Sequence, residues 1–169
     1  MQQQKGFTLI ELIIVIIILG ILAVTAAPRF FNFASDARES TVKGVEGAIN
    51  GAAAIVYGKA LIQSKERNED DGDGNYETAD GIQIVYGYPA ASAGGIIAAL
   101  NLNVAEWDIA YDPATPAVGT ESSVKISPAG FNSAAAAAPT FAEITECFVQ
   151  YTDVDSVGGE PLVTVNTDC

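Results

Sequence analysis

The sequence predicts an α+β fold, with one long N-terminal helix packed against a C-terminal four-stranded antiparallel sheet. Three observations carry this. The stretch from Gly6 to Ala23 (GFTLIELIIVIIILGILA) is almost entirely apolar, with a length and composition suited to a bilayer-crossing helix. Beyond it, apolar residues keep recurring near a 3.6-residue period to about Gln63. The second half then alternates β-branched runs with Pro, Gly and Asp turn signals and has little helical pattern between them, which suits an antiparallel sheet.

Bulk composition narrows the function classes. The chain has 169 residues, 8 Lys plus Arg, 21 Asp plus Glu and no histidine, for a formal net charge of −13. That balance argues against a nucleic-acid partner, which needs a basic surface. Without histidine there is no ordinary triad base and no imidazole metal ligand, and Ser122 and Ser133 sit in no nucleophile motif. Neither a CxxC pair nor a phosphate-binding glycine loop occurs, so the chain is not expected to be an enzyme. Its two cysteines, Cys147 and Cys169, lie behind a membrane-targeting segment and read as a disulfide made in an oxidising compartment, with a pair of buried free thiols as the alternative. Closing a loop of that size contributes about 3 kcal/mol in the chain-entropy account.

The helix begins behind a polar start, Met1 to Lys5. From Phe7 to Ala27 the only polar side chains are Thr8, Glu11 and Thr25. A helix of that length covers about 30 Å, the hydrocarbon thickness of a bilayer. A secretory signal would place small residues after the apolar run, but here no clean A-x-A site follows it. The small residue is Gly6, ahead of the run and behind Lys5. Glu11 needs a reason, because a carboxylate near mid-bilayer costs about 2.5–3.5 kcal/mol on insertion scales. Either it pairs with a positive group, or it favours the positive helix end and snorkels to the interface.

These residues resemble the class III signal of type IV prepilins: Lys5-Gly6 ends a leader, Phe7 opens the mature chain, and Glu11 is its fifth residue. The resemblance implies that a prepilin peptidase cuts between Gly6 and Phe7 and methylates the Phe7 amine. It implies a leader (1–6), a hydrophobic helix half (7–33) that serves as membrane anchor and filament core, and a globular domain (34–169). Glu11 would then meet the Phe7 amine of a neighbouring subunit. Gly20 and Pro28 weaken the helix, and the resemblance makes the stretch between them the segment that melts on assembly. The partners implied are further copies of the chain, the pilus assembly machinery, the inner membrane before assembly, and a host-surface glycan or phage afterwards. The fold implied is the type IV pilin fold, on the outer surface of a Gram-negative bacterium.

Past the span, Ala37, Val42, Val45, Ile49, Ala52, Ala53, Val56 and Ala60 supply the apolar stripe, with charges on much of the remaining face. Gly44, Gly47, Gly51, Ala52 and Ala54 permit close approach of a sheet to the helix backbone, or are simply tolerated there as small residues.

The acidic loop 68–80 (NEDDGDGNYETAD) comes next. Glu69, Asp71, Asp73, Gly74 and Asp80 at the twelfth place follow the spacing of a calcium loop, with Asn75 and Glu77 in an overlapping register. The first position is Glu and the twelfth is Asp, both departures from that pattern. The plain alternative is a solvated acidic turn. No cofactor is required; calcium is the one candidate.

Gly81 to Tyr88 reads as a strand or an extended arm, Ala93 to Asn101 as a short helix and Ala134 to Ala138 as loop. Trp107–Tyr111, Ser122–Ser127, Glu146–Asp153 and Pro161–Asn166 read as the four strands of the sheet. Trp107, Tyr111 and Tyr151 read as strand-face packing more than as a ligand surface. In the pilin family two C-terminal cysteines typically bound a variable surface loop, here 147–169. AAPRFFNFASDARESTVKGVEGAINGAAAIVYGKA, GIQIVYGYP and CFVQYTDV further resemble the mannose-sensitive haemagglutinin (MSHA) type, which implies attachment, biofilm formation and haemagglutination. Two neighbouring readings share the N-terminus: a type II secretion pseudopilin, which the cysteine pair argues against, and a minor pilin acting as a tip adhesin.

Overall fold

A computed structural model describes residues 7–67, 78–112, 121–132 and 138–169; the side chains of residues 26–32 and of Thr78 lie outside the description. Helix α1 runs Leu9–Ile62. Short strands β1 (Thr78–Ala79), β2 (Ile82–Val85) and β3 (Tyr88–Pro89) form a small antiparallel sheet. A wide π turn, Ala93–Ile97, leads into a single helical turn α2 (Ala98–Leu100). The main sheet is β4 (Trp107–Asp112), β5 (Ser123–Pro128), β6 (Phe148–Thr152) and β7 (Leu162–Asn166), antiparallel and in sequential order. The predicted class therefore holds, and each predicted strand of the main sheet lies within one or two residues of its observed bounds.

The chain divides into two compact units, Met1–Ala37 and Arg38–Cys169. Within the second, α1 buries Val42, Val45, Ile49, Ala53, Val56 and Ala60. Steps of three and four residues keep those side chains on one face of a 3.6-residue helix. Cross-strand register builds the opposing wall in two rows. Tyr111, Val124, Tyr151 and Val163 pair in one row, and Ile109, Ile126, Val149 and Val165 in the other. All eight join the core cluster that contains Val42, Val45 and Ile49. Trp107 and Tyr111 are half-buried against that core and Tyr151 is fully buried, so the aromatics serve packing.

The small residues of α1 do something other than expected. Sheet packing falls on the valine and isoleucine stripe, with Ala52 half-buried beside it, whereas Gly44, Gly47, Gly51 and Ala54 are exposed. A Cβ added at Gly44, Gly47 or Gly51 would meet nothing within 4 Å. The expectation of a sheet approaching the helix at these positions is corrected: nothing in the subunit needs them small.

The strand expected over Gly81 to Tyr88 is instead two tight hairpins. Asp80 (φ 54°) and Gly81 (φ 85°) turn β1 into β2, and Tyr86 (φ 46°) and Gly87 (φ 84°) turn β2 into β3. Two successive positive φ values mark the type I′ turn, whose twist matches the flanking strands. The expected helix over Ala93 to Asn101 is a wider coil in its first half. Gly95 lies so close to Ala90 that a Cβ would collide with its carbonyl.

Polar ties secure the turn to the sheet. Buried Asp153 accepts hydrogen bonds from the Ser122 and Ala91 amides at 2.8 and 3.0 Å. The Tyr151 hydroxyl donates to the Pro89 carbonyl at 2.6 Å. Burial pushes the Tyr151 phenol well above its usual range, with the charge of Asp153 adding to the effect. On the outward face of β5, Lys125 donates to the carbonyls of Phe141 and Ile144 at 3.2 and 2.8 Å. Its ammonium also lies over the Phe141 and Phe148 rings. The segment before β6 is thereby held to the sheet. Cys147 and Cys169 are disulfide-bonded, joining the entry of β6 to the end of β7.

Candidate functional site

The apolar N-terminal segment is the candidate site, and its start has a definite geometry. Thr8 stands as the N-cap of α1, and Glu11 occupies the third helical position. The Thr8 amide and hydroxyl donate to Glu11 Oε2 at 2.8 and 2.9 Å, and the Glu11 amide donates back to Thr8 Oγ1 at 3.3 Å. This is a capping box, in which the two residues satisfy amides that the first helical turn leaves without partners. The sequence carried the signal as Thr8-x-x-Glu11, which the question of a membrane-buried charge overshadowed. Thr25 is likewise satisfied within the helix, its hydroxyl donating to the Leu22 carbonyl at 3.0 Å. Thus the three polar side chains of the run find partners in their own segment, as an apolar surrounding demands.

The apolar side chains themselves find none. Phe7 is 86 % exposed, and the large hydrophobics from Leu9 to Val24 lie between 46 % and 77 %. A helix apolar on every side belongs inside a protein core or a membrane. Among the described residues no helix is long and apolar enough to cross a membrane. The fully described part of the run ends at Thr25, so the last two residues of the expected span, Ala26 and Ala27, fall outside the description.

Of the other predicted residues, Gly6 lies outside the described residues. Gly20 is helical with open space around its Cα, and the backbone of α1 continues through Pro28. In the acidic loop, Glu69, Asp71, Asp73, Asn75 and Glu77 also lie outside the described residues. Asp80 is described, and it is engaged elsewhere. Lys59 Nζ lies 2.8 Å from its Oδ2, and Gln63 Nε2 donates to its Oδ1 at 2.8 Å. The Lys59 hydrogen bond, then that of Gln63 and the Lys59 charge, holds the Asp80 carboxyl below its ordinary range. Sequence spacing read Asp80 as a metal ligand, whereas Asp80-Gly81 is also a hairpin dipeptide, and that role is the one observed. Among the described residues no cluster of three His, Cys, Asp or Glu side chains could hold a metal.

Comparison with known proteins agrees with this geometry. Residues 1–27 match the family model for the prokaryotic N-terminal methylation motif. The chain is 46 % identical over 63 residues to a type IV narrow pilus major component of Thermus thermophilus, covering 37 % of this chain and 51 % of that one. It is 36 % identical over 116 residues to the type IV major fimbrial protein of Dichelobacter nodosus, covering 60 % of this chain and 74 % of the relative. With fimbrial protein Q of Moraxella bovis it shares 38 % over 121 residues, covering 65 % and 76 %. Against the Thermus protein and the major alpha-pilin of Moraxella bovis, the chain spans only about half or less of the relative's length, 51 % and 43 %. No solved structure matches. A methylation-motif N-terminus, a long helix against a four-stranded antiparallel sheet, and identity across three quarters of two fimbrial proteins place the chain in the type IV pilin family, a family of structural subunits and not of enzymes.

Proposed function

We propose that this chain is the structural subunit of an extracellular type IV pilus of MSHA type, polymerising through its N-terminal helix. The observation that supports this best is the run from Phe7 to Val24, where every large apolar side chain is left uncovered in the single subunit. Covering such a surface is worth on the order of 20 kcal/mol by area. A bilayer supplies that cover before assembly and a bundle of like helices supplies it afterwards. The cycle begins with the precursor in the inner membrane. Prepilin peptidase cuts between Gly6 and Phe7 and methylates the new Phe7 amine, and the assembly machinery then moves the subunit into the filament. There the Glu11 carboxylate accepts the Phe7 amine of a neighbour, and the helix between Gly20 and Pro28 unwinds to fit the bundle.

The exposed glycines support self-association. Each Gly in a helix interior costs about 0.5–1 kcal/mol relative to Ala, and Gly44, Gly47 and Gly51 have no packing reason inside the subunit. A neighbouring subunit lying close to the helix backbone supplies one. Surface attachment, biofilm formation, haemagglutination and adsorption of phage or binding of a surface glycan are the roles of the assembled filament in this reading. Calcium at the acidic loop is a separate proposal; there Asp80 would exchange Lys59 for the ion.

Electron microscopy of sheared filaments, with mass spectrometry of their N-terminus, tests the function. Filaments composed mainly of this chain and starting at a methylated Phe7 are expected. A chain that stays in the membrane fraction with residues 1–6 attached would overturn it.

A further inference from the structure

A recess lies in the globular unit. Asn50, Ala53, Ala54 and Tyr57 line one side of it from α1, and Tyr88, Glu160 and Pro161 line the other. Its volume is about 290 Å³. That is slightly below the range of drug-sized pockets and suits a single short chain or head group. The Tyr57 and Tyr88 rings stack with centroids 4.4 Å apart, giving the recess an electron-rich wall. Glu160 is exposed and forms no ion pair among the described residues. Burial raises the Tyr88 phenol and the charges of Tyr57 and Glu160 add to that, so the hydroxyl stays neutral beside the carboxylate. The backbone of Glu66 borders Gly87 next to the Tyr57 ring. One carboxylate and two phenol rings thus border a small space in a chain of net charge −13.

We propose that the recess formed by Asn50, Tyr57, Tyr88 and Glu160 binds a small organic cation, a free amine whose ammonium meets Glu160 and whose alkyl part lies against the tyrosine rings and Ala54. Positive charge is what an aromatic wall and an unpaired carboxylate attract together, and the field of an acidic chain steers it there. The source is a free amine and not a side chain of a second copy, because the described cations of the globular unit already have partners. Arg38 lies over Phe131, Lys43 pairs with Glu39, Lys59 with Asp80, Arg67 with Glu66, and Lys65 and Lys125 are likewise engaged.

The test uses the full chain in detergent micelles, with butylammonium as probe and butanol as its neutral counterpart, followed by saturation-transfer NMR at constant ionic strength. Butylammonium is expected to bind with a millimolar dissociation constant and butanol not to bind. Both Glu160→Gln and Tyr88→Leu are expected to weaken binding about five- to tenfold, while Asp168→Asn, an exposed carboxylate elsewhere, leaves it unchanged. Equal weakening by Asp168→Asn would mean general counterion attraction and overturn the site, as would butanol binding equally well. A dimer dissolved by butylammonium or by Glu160→Gln would put a second copy's side chain in the recess and overturn the free-amine assignment. Circular dichroism of each variant identifies a loss of fold, and if Tyr88→Leu fails to fold then Glu160→Gln alone decides the outcome.

Discussion

Helix α1 contains two stretches that obey opposite rules. From Val42 to Ala60 it buries one residue every three or four, and the others are half-buried or exposed. From Leu9 to Val24 it has no preferred face, and all its large side chains are uncovered. The backbone is the same; only the distribution of apolar residues around the axis differs. A stripe is the mark of a helix that finds its partner inside its own chain. An apolar surface on every side marks a helix completed by something outside it, either lipid or other subunits. The difference teaches that exposure in an isolated subunit can be a specification for a partner rather than a fault of the fold.

The largest expected effect falls on the first stretch alone. Glu11→Ala removes the carboxylate proposed to accept a neighbour's amine, and filaments in the sheared fraction should fall at least about tenfold, by analogy with loss of a charge pair buried away from water. The membrane-associated subunit should remain at normal levels. Normal filament yield in immunoblots of that fraction would break the distinction between the two stretches.

Next comes a change confined to the globular unit. Replacing Cys147 and Cys169 by Ser should lower stability by about 3 kcal/mol, read as a shift in the denaturation midpoint. That loss acts on the second stretch through the sheet it packs on and leaves the apolar run untouched.

Gly47→Ala sharpens the comparison because its two effects should have opposite signs. Ala is a better helix former by roughly 0.5–1 kcal/mol and meets nothing within the subunit, so the isolated chain should gain stability. The added methyl intrudes where a neighbour is proposed to lie close, so filament yield should fall. Gains in both would remove the glycine face from the interface.

The smallest effect is electrostatic. Because its carboxyl is depressed in the fold by Lys59 and Gln63, the Asp80 contribution is fully present above its unfolded value and disappears as pH falls through the lower folded value. Asp80→Asn should therefore lower stability slightly at neutral pH, where that contribution is present, and progressively less as pH falls, which flattens the acid side of the pH–stability curve. An equal loss at pH 7 and pH 3 would assign the residue to the turn geometry alone.

Most of the architecture was readable because burial leaves a pattern. The valine and isoleucine stripe of α1 and the alternation of Val124, Ile126, Val149 and Tyr151 fixed which faces meet. What escaped reading lacked such a pattern. Glycine and alanine carry no inward or outward preference, so Gly44, Gly47 and Gly51 could be assigned to the sheet when they face away from it. Asp80 fits two spacings at once, and the backbone, with positive φ at Asp80 and Gly81, displays the turn without deciding the calcium proposal. The Thr8–Glu11 box failed to register for a related reason: one carboxylate had several physically sound uses.

That box bears on timing. If Glu11 is exchanged between Thr8 and a neighbour's amine, the charge never has to stand bare in the membrane while a subunit waits. Assembly becomes a swap of one partner for another, and its rate depends on how fast the cap opens as well as on how often subunits meet. A subunit that comes off the polymer can close the same cap again. The hydroxyl of Thr8, small and exposed to substitution, would then act as a clock on polymerisation more than as a brace for the helix.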